Sequence, residues 1–173
     1  KKTEKSPQSC FITSTIQQEA GTRFGMSSKS IMNNLQKLYE AGLITYHRTD
    51  NVNLSSEFIE KIKEYVNTKY GADYFKERIY KSKAKNAQEA HEAIRPTDIS
   101  RKPADIKKYV NADQYKLYDL IWSRALSSQM NPAEFDRNTI LISSKDEQIN
   151  FRTTGSIIKF EGFLKVYQVA YKG

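Results

Sequence analysis

A tyrosine and an arginine, Tyr46 and Arg48, flank one histidine in the stretch GLITYHRTDN at residues 42–51. In an extended segment alternate side chains share a face, so Tyr46 and Arg48 point one way and His47 the other. A phenol beside a guanidinium suits attack on phosphorus. The phenol oxygen is the nucleophile, and the planar cation holds the phosphate oxygens that gather charge. With a reference pKa of about 10, forming the phenolate at neutral pH costs about 4 kcal/mol. A positive charge about 4 Å away, at an effective dielectric of about 20, is worth about 4 kcal/mol. One arginine therefore offsets much of that cost, but it cannot also perform the rest of the chemistry. Spacing alone favours a surface wing strand whose Tyr and Arg do nothing chemical.

Other elements must position this pair. Gly42 is placed to end a helix, because glycine takes the left-handed conformation without a Cβ penalty. Ahead of it, Ile31, Met32, Leu35, Leu38 and Tyr39 form an apolar helical stripe that Ser27 or Ser28 can cap. An earlier helix carries Ile16, Ala20 and Phe24 on one face, has Ser14 and Gln17 at capping-box spacing, and breaks at Gly25. Residues 43–46 read as a short strand. Two helices about a turn, then a strand, predict a helix-turn-helix with a wing. Such a fold lays its second helix in a major groove. The face with Lys29, Asn33, Gln36 and Lys37 meets DNA or, as charged helix faces usually do, only water.

Ser55 or Ser56 caps a third helix, with Phe58, Ile59, Ile62, Tyr65 and Val66 inward and Gly71 at its end. Residues 76–85 (KERIYKSKAK) are strongly basic, and Lys81, Lys83 and Lys85 face a phosphate backbone or solvent. Residues 88–94 predict a short helix, stopped before Pro96 because the residue before proline avoids helical angles. That helix puts His91 and Arg95 on one side. A histidine there packs, or it hydrogen-bonds a phosphate, since a reference pKa of about 6.5 lets a modest shift charge it. Glu89 and Glu92 read as structural acids. Asn111 or Asp113 caps the longest remaining helix, with Leu117, Leu120, Ile121, Ala125 and Leu126 inward and Tyr115, Tyr118 and Trp122 packing. Past Pro132 the period changes to two, predicting strands at 139–143, 149–153, 157–160 and 163–169 with turns at Gly155 and Gly162.

A net charge of +8 and a pI near 9.4 favour nucleic acid over a membrane as partner. No apolar run reaches the length of a membrane span. Cys10 is the only cysteine, which excludes a disulfide framework and a cysteine zinc cluster in these 173 residues and favours an intracellular setting. The opening KKTEKSPQS lacks a signal-peptide core and reads as a flexible linker.

The stretch GLITYHRTDN, together with QEAHEAIRPT at residues 88–97, closely resembles the central part of type IA DNA topoisomerases. FITSTIQQE at 11–19 and GFLKVY at 162–167 match the same family in the same order, so the resemblance covers nearly the whole chain. It implies an α+β, mainly α fold: a linker at 1–9, a winged-helix-like tyrosine domain at 10–133, and a partial β-rich arm of antiparallel strands at 134–173.

Enzymes of this family cut one strand of underwound DNA through a tyrosine that stays joined to the 5′ phosphate. They pass another strand and reseal, relaxing negative supercoils without ATP. Tyr46 then matches the nucleophile and Arg48 the phosphate-contacting arginine. His91 matches the histidine near the DNA backbone, Arg95 the arginine of the second motif, and Asp50 an acid that orients Arg48 or its neighbours. Lys83 and Lys85 join the DNA-contacting set. His47 and Asn51 depart from the commonest bacterial pattern, methionine and serine, which leaves topoisomerase I and reverse gyrase both open. Arg95 favours topoisomerase I over topoisomerase III. The family's magnesium-binding acidic domain is not among these residues, so Mg2+ is expected outside them and no metal ligand within. The expected partners are single-stranded and underwound DNA and the remaining domains of the same polypeptide, in the cytoplasm or on the nucleoid. Alone, such a piece is expected to be inactive. The alternative is a winged-helix module that binds DNA without cutting it, which has no use for QEAHEAIRPT.

Overall fold

The structure, a computed structural model, describes residues 1–81, 91–146 and 148–167. Its helices are α1 (Thr13–Phe24), α2 (Ser28–Glu40), α3 (Ser56–Lys69), the single turn α4 (Pro103–Ile106) and α5 (Ala112–Ser128). Three strands, β1 (Lys2–Lys5), β2 (Ala133–Ser143) and β3 (Asn150–Phe160), form an antiparallel sheet in the order β1-β2-β3. The fold is therefore α+β.

α5 is the central pillar. Leu117, Tyr118, Leu120, Ile121, Trp122, Ala125 and Leu126 are all buried along it, as expected of a helix surrounded by others. Trp122 donates to the Ile99 carbonyl at 2.9 Å and Tyr118 to that of Arg101 at 2.5 Å, so both aromatic groups pack and keep their polar ends satisfied. Around it lie Ile16 and Ala20 of α1, Ile31, Leu35 and Leu38 of α2, and Phe58, Ile62 and Val66 of α3.

The open alternatives at the caps resolve to Ser27, Ser55 and Asn111. Each accepts from the backbone N–H three residues on, at 3.2, 3.2 and 2.8 Å. α1 begins two residues earlier than its Ser14–Gln17 spacing predicts. Thr15 Oγ1 reaches back to accept from the Ile12 N–H at 2.9 Å, and Ser14 caps nothing.

Several predicted elements differ. Lys2–Lys5, read as linker, pairs with β2 from Lys2↔Asp136 to Lys5↔Ala133; lysine-rich composition is no bar to an edge strand. Gly155 does not turn the chain but sits inside β3 opposite Asn138, so two predicted strands are one. Residues 162–165 form a 3-10 turn rather than the start of a strand. The reason is burial at helical spacing: Phe163, Leu164 and Tyr167 all sink into the helical core. Gly162 begins that turn at φ +50°, where a Cβ would stand 2.3 Å from the Pro132 carbonyl oxygen, so only glycine fits. No wing strand forms after α2 among the described residues. Residues 43–46 bend at Leu43 and Thr45, and their one ladder contact among the described residues is the Ile44↔Pro96 bridge.

Candidate active site

The segment after α2 is pinned at its start. Leu43 N–H bonds the Leu38 carbonyl at 3.0 Å and Gly42 N–H that of Tyr39 at 2.9 Å, with Gly42 at φ +73°. This paired closure of the helix end is a Schellman motif and explains why the chain leaves α2 here. From Gly42 onward the segment is laid against residues 93–97. Thr45 N–H donates to the Arg95 carbonyl at 2.9 Å, Arg95 N–H to Thr45 Oγ1 at 3.0 Å, and Thr45 Oγ1 to the Ala93 carbonyl at 2.8 Å. Thr97 returns a hydrogen bond to the Gly42 carbonyl at 2.7 Å. The start of α1 clamps the other side: Thr13 Oγ1 donates to the His47 carbonyl at 2.7 Å and accepts from Thr49 N–H at 3.0 Å.

On this fixed strap the side chains alternate. Tyr46 is 41% exposed, His47 1%, and Arg48 is again exposed. The Tyr46 hydroxyl and the Arg48 guanidinium have no hydrogen-bond or ion-pair partner among the described residues, and Asp50 makes no ion pair with Arg48. His47 lies beneath, its ring centroid 5.3 Å from that of Tyr46 and its Nδ1 buried without a partner among the described residues. Burial, with a lesser push from the Arg48 charge, holds its pKa below the ordinary histidine value. The third ring is Tyr39, 5.1 Å from Tyr46 and also 41% exposed. Its place in the apolar stripe of α2 predicts a core residue; instead it leans out over the strap.

The second motif is not helical where it is described. Residues 91–95 are extended, Ile94 bridges Phe11, and Ala93 N–H bonds the Asn53 carbonyl at 2.9 Å. Burying Ala93 and Ile94 on this line defeats the predicted helix, so His91 and Arg95 do not share a helical side. His91 is exposed, and the Asn51 side-chain amide donates to its main-chain carbonyl. Arg95 is committed within the chain. Its Nε and one terminal nitrogen hold Glu92 at 2.6 and 2.9 Å, the other donates to the Pro96 carbonyl at 3.0 Å, and the guanidinium carbon lies 3.9 Å from the Phe58 ring centre. Glu92 in turn accepts from the Ser55 N–H at 3.1 Å, tying this segment to the start of α3. Burial works against the Glu92 carboxylate, but hydrogen bonds from Arg95 and Ser55 outweigh it and keep its pKa below the usual range. Lys83 and Lys85 lie outside the described residues. Among the described residues no three His, Cys, Asp or Glu side chains gather to hold a metal ion, and no helix is long and apolar enough to cross a membrane.

The family described as DNA topoisomerase matches residues 1–173, the whole chain. The chain belongs to the family of bacterial type IA DNA topoisomerases. It is 46% identical over 178 residues to DNA topoisomerase 1 of Rickettsia bellii, covering 97% of this chain and 22% of that protein. It is 47% identical over 176 residues to the prokaryotic-type DNA topoisomerase 1 of Acanthamoeba polyphaga mimivirus, covering 96% of this chain and 20% of that protein. The structure of full-length topoisomerase I from Thermotoga maritima superposes with a TM-score of 0.87 at 34% identity, over 99% of this chain and 29% of that one. The chain thus spans about a fifth of the length of the curated topoisomerases it matches. Sequence spacing found the Tyr46–Arg48 pair but missed Thr13, Tyr39 and Asn51 as its supports. Thr13, within FITSTIQQE, and Asn51, within GLITYHRTDN, lay in motifs shared with the topoisomerases, whereas Tyr39 was marked only as part of an apolar stripe.

Proposed function

We propose that this chain is the tyrosine-bearing part of an enzyme that cuts one DNA strand, joins its 5′ phosphate to Tyr46, allows strand passage and religates, relaxing negative supercoils. One observation carries the reading. Tyr46 and Arg48, two residues apart, are both exposed and unpartnered among the described residues, on a strap whose backbone is held from α2, α1 and residues 93–97. A nucleophile and a phosphate-binding cation work when they are held in place and left free to meet substrate.

In this reading the Tyr46 hydroxyl oxygen attacks the scissile phosphorus and displaces the 3′ oxygen of the upstream piece. Arg48 offers a planar pair of donors to the phosphate oxygens. His91 meets the neighbouring backbone, and Asp50, which makes no ion pair with Arg48 among the described residues, orients the residues around it. Arg95 supports the site from behind. In this reading the enzyme's Mg2+ is held by residues outside this chain. In this reading α2 acts as the second helix of a helix-turn-helix, and its face bearing Lys29, Asn33, Gln36 and Lys37 meets DNA or solvent. Cytoplasmic or nucleoid residence follows from such a substrate. The 173 residues alone are expected to bind DNA weakly and to leave supercoiled plasmid unrelaxed.

The test uses the complete enzyme with 5′-labelled and 3′-labelled single-stranded DNA, denatured after incubation. Attachment to the 5′ phosphate leaves protein on the 3′-labelled fragment only, and Tyr46→Phe abolishes that adduct while preserving DNA affinity. An adduct that persists in Tyr46→Phe means that another residue is the nucleophile. Affinity without any adduct in the unaltered enzyme would favour the non-catalytic DNA-binding module.

A further inference from the structure

Tyr46 has few constraints on its ring. Its hydroxyl is unpartnered among the described residues, and its recorded ring contacts are with Tyr39, at 5.1 Å and 59°, and His47, at 5.3 Å and 67°. Both neighbours are themselves fixed. His47 is buried and held through its carbonyl by Thr13, and Tyr39 stands in the last turn of α2, one of whose closing hydrogen bonds its own carbonyl accepts. Tyr39 and His47 also contact one another, with centroids 6.1 Å apart, so the three rings form a closed cluster. Tilted and edge-on arrangements at these separations are the favoured ones for aromatic rings. Yet Tyr39 gives up burial to be there. The stripe of α2 that buries Ile31, Leu35 and Leu38 leaves Tyr39 half in solvent.

We infer that Tyr39 is a positioning residue for the nucleophile, holding the Tyr46 ring against His47 at the angle from which its hydroxyl attacks. The inference rests on the reading of Tyr46 as nucleophile. Without Tyr39 the phenol keeps its chemistry but samples other rotamers about its side-chain bonds, and fewer encounters have the oxygen in line with the phosphorus. Cleavage and religation use the same ring orientation, so both slow together. DNA affinity, set by cations along the backbone, does not change. The Tyr39 hydroxyl takes no part, since the contact used is that between the two rings.

The experiment measures single-turnover cleavage and religation of a 3′-labelled oligonucleotide by the complete enzyme, with affinity from fluorescence anisotropy. Misplacing a reacting group costs rate steeply, so Tyr39→Ala is expected to slow both steps about tenfold while the Kd stays within about twofold. Tyr39→Phe is expected to restore both rates, which a general loss of folding would not allow. Unchanged rates in Tyr39→Ala overturn the inference. So does a loss confined to affinity, which would make Tyr39 a stacking platform for a base, and so does a Phe variant no better than Ala. Tyr46→Phe is run alongside: a surviving adduct there sinks the nucleophile assignment itself, whereas its loss with Tyr39→Ala at full rate sinks only this inference.

Discussion

The side-chain amide of Asn51 donates to the main-chain carbonyl of His91, joining two motifs forty residues apart. Asn51 Oδ1 also accepts from Asn53 N–H at 2.9 Å, so the side chain is held at both ends. His91 owes its place to the tyrosine segment rather than to a helix of its own.

Asn51→Ala removes that link. A net hydrogen bond is worth about 0.5–1.5 kcal/mol, or roughly two- to tenfold in an equilibrium. If His91 meets the DNA backbone, the affinity of the complete enzyme for single-stranded DNA should fall by that factor. Unchanged affinity in an anisotropy titration would separate Asn51 from the DNA contact.

Arg95→Ala should act on stability. The side chains of Arg95 and Glu92 are only 14% and 28% exposed, and removing one leaves the other partly buried and unpaired. Such a loss costs about 1–3 kcal/mol, read as a shifted urea midpoint. The Arg95→Ala, Glu92→Ala double variant should cost less than the two single changes added together, because the pair is one unit. A variant with lowered DNA affinity and unaltered stability would return Arg95 to the DNA surface.

His47 makes the domain sensitive to acid. Its folded-state pKa lies below the ordinary value, from burial first and Arg48 second. The unfolded chain therefore takes up the proton first as pH falls. The stability due to neutral His47 is fully present above about pH 6.5 and declines as the pH drops toward the lowered value. Melting temperatures between pH 5 and 8 should fall on the acid side in the unaltered protein and less so in His47→Phe. Parallel curves for the two would exclude His47 as the source.

Two glycines of the C-terminal part should respond differently to alanine. At Gly162 a Cβ meets the Pro132 carbonyl oxygen at 2.3 Å on a positive-φ backbone, so Gly162→Ala should cost about 3 kcal/mol or more. At Gly155 nothing lies within 4 Å of the added atom, and a surface strand tolerates the change within about 0.5 kcal/mol. Urea unfolding of the two variants distinguishes them.

What could be read from the residues was local. The caps at Ser27 and Ser55, the stop at Gly42 and the in-and-out alternation of Tyr46, His47 and Arg48 depend on neighbours within a turn, and local pattern carries them. What could not be read depends on distant partners. Residues 91–94 look helical because nothing in their composition announces that Phe11 and Asn53 claim the backbone of Ile94 and Ala93. Phe163 looks like a strand residue until the helical core is present to receive it. Lys2–Lys5 carries no strand signature, and only the waiting edge of β2 orders it. Tyr39 falls at the right interval for the core stripe, and periodicity cannot tell the last position of a stripe from the first one beyond it.

Lys5 faces Ala133 across the β1–β2 ladder, although residues 6–132 lie between them in sequence. Paired Cα atoms in such a ladder are about 4.5–5.5 Å apart. In topological terms, α1 to α5 and the tyrosine segment hang as one insertion between two paired strands. A pull applied at Tyr46 reaches the sheet through two parallel covalent threads at that point and does not shear the ladder. What opposes a swing of the inserted mass is non-covalent: the seating of Phe163, Leu164 and Tyr167 in the helical core and the 2.8 Å bond from Arg124 to the Tyr167 hydroxyl.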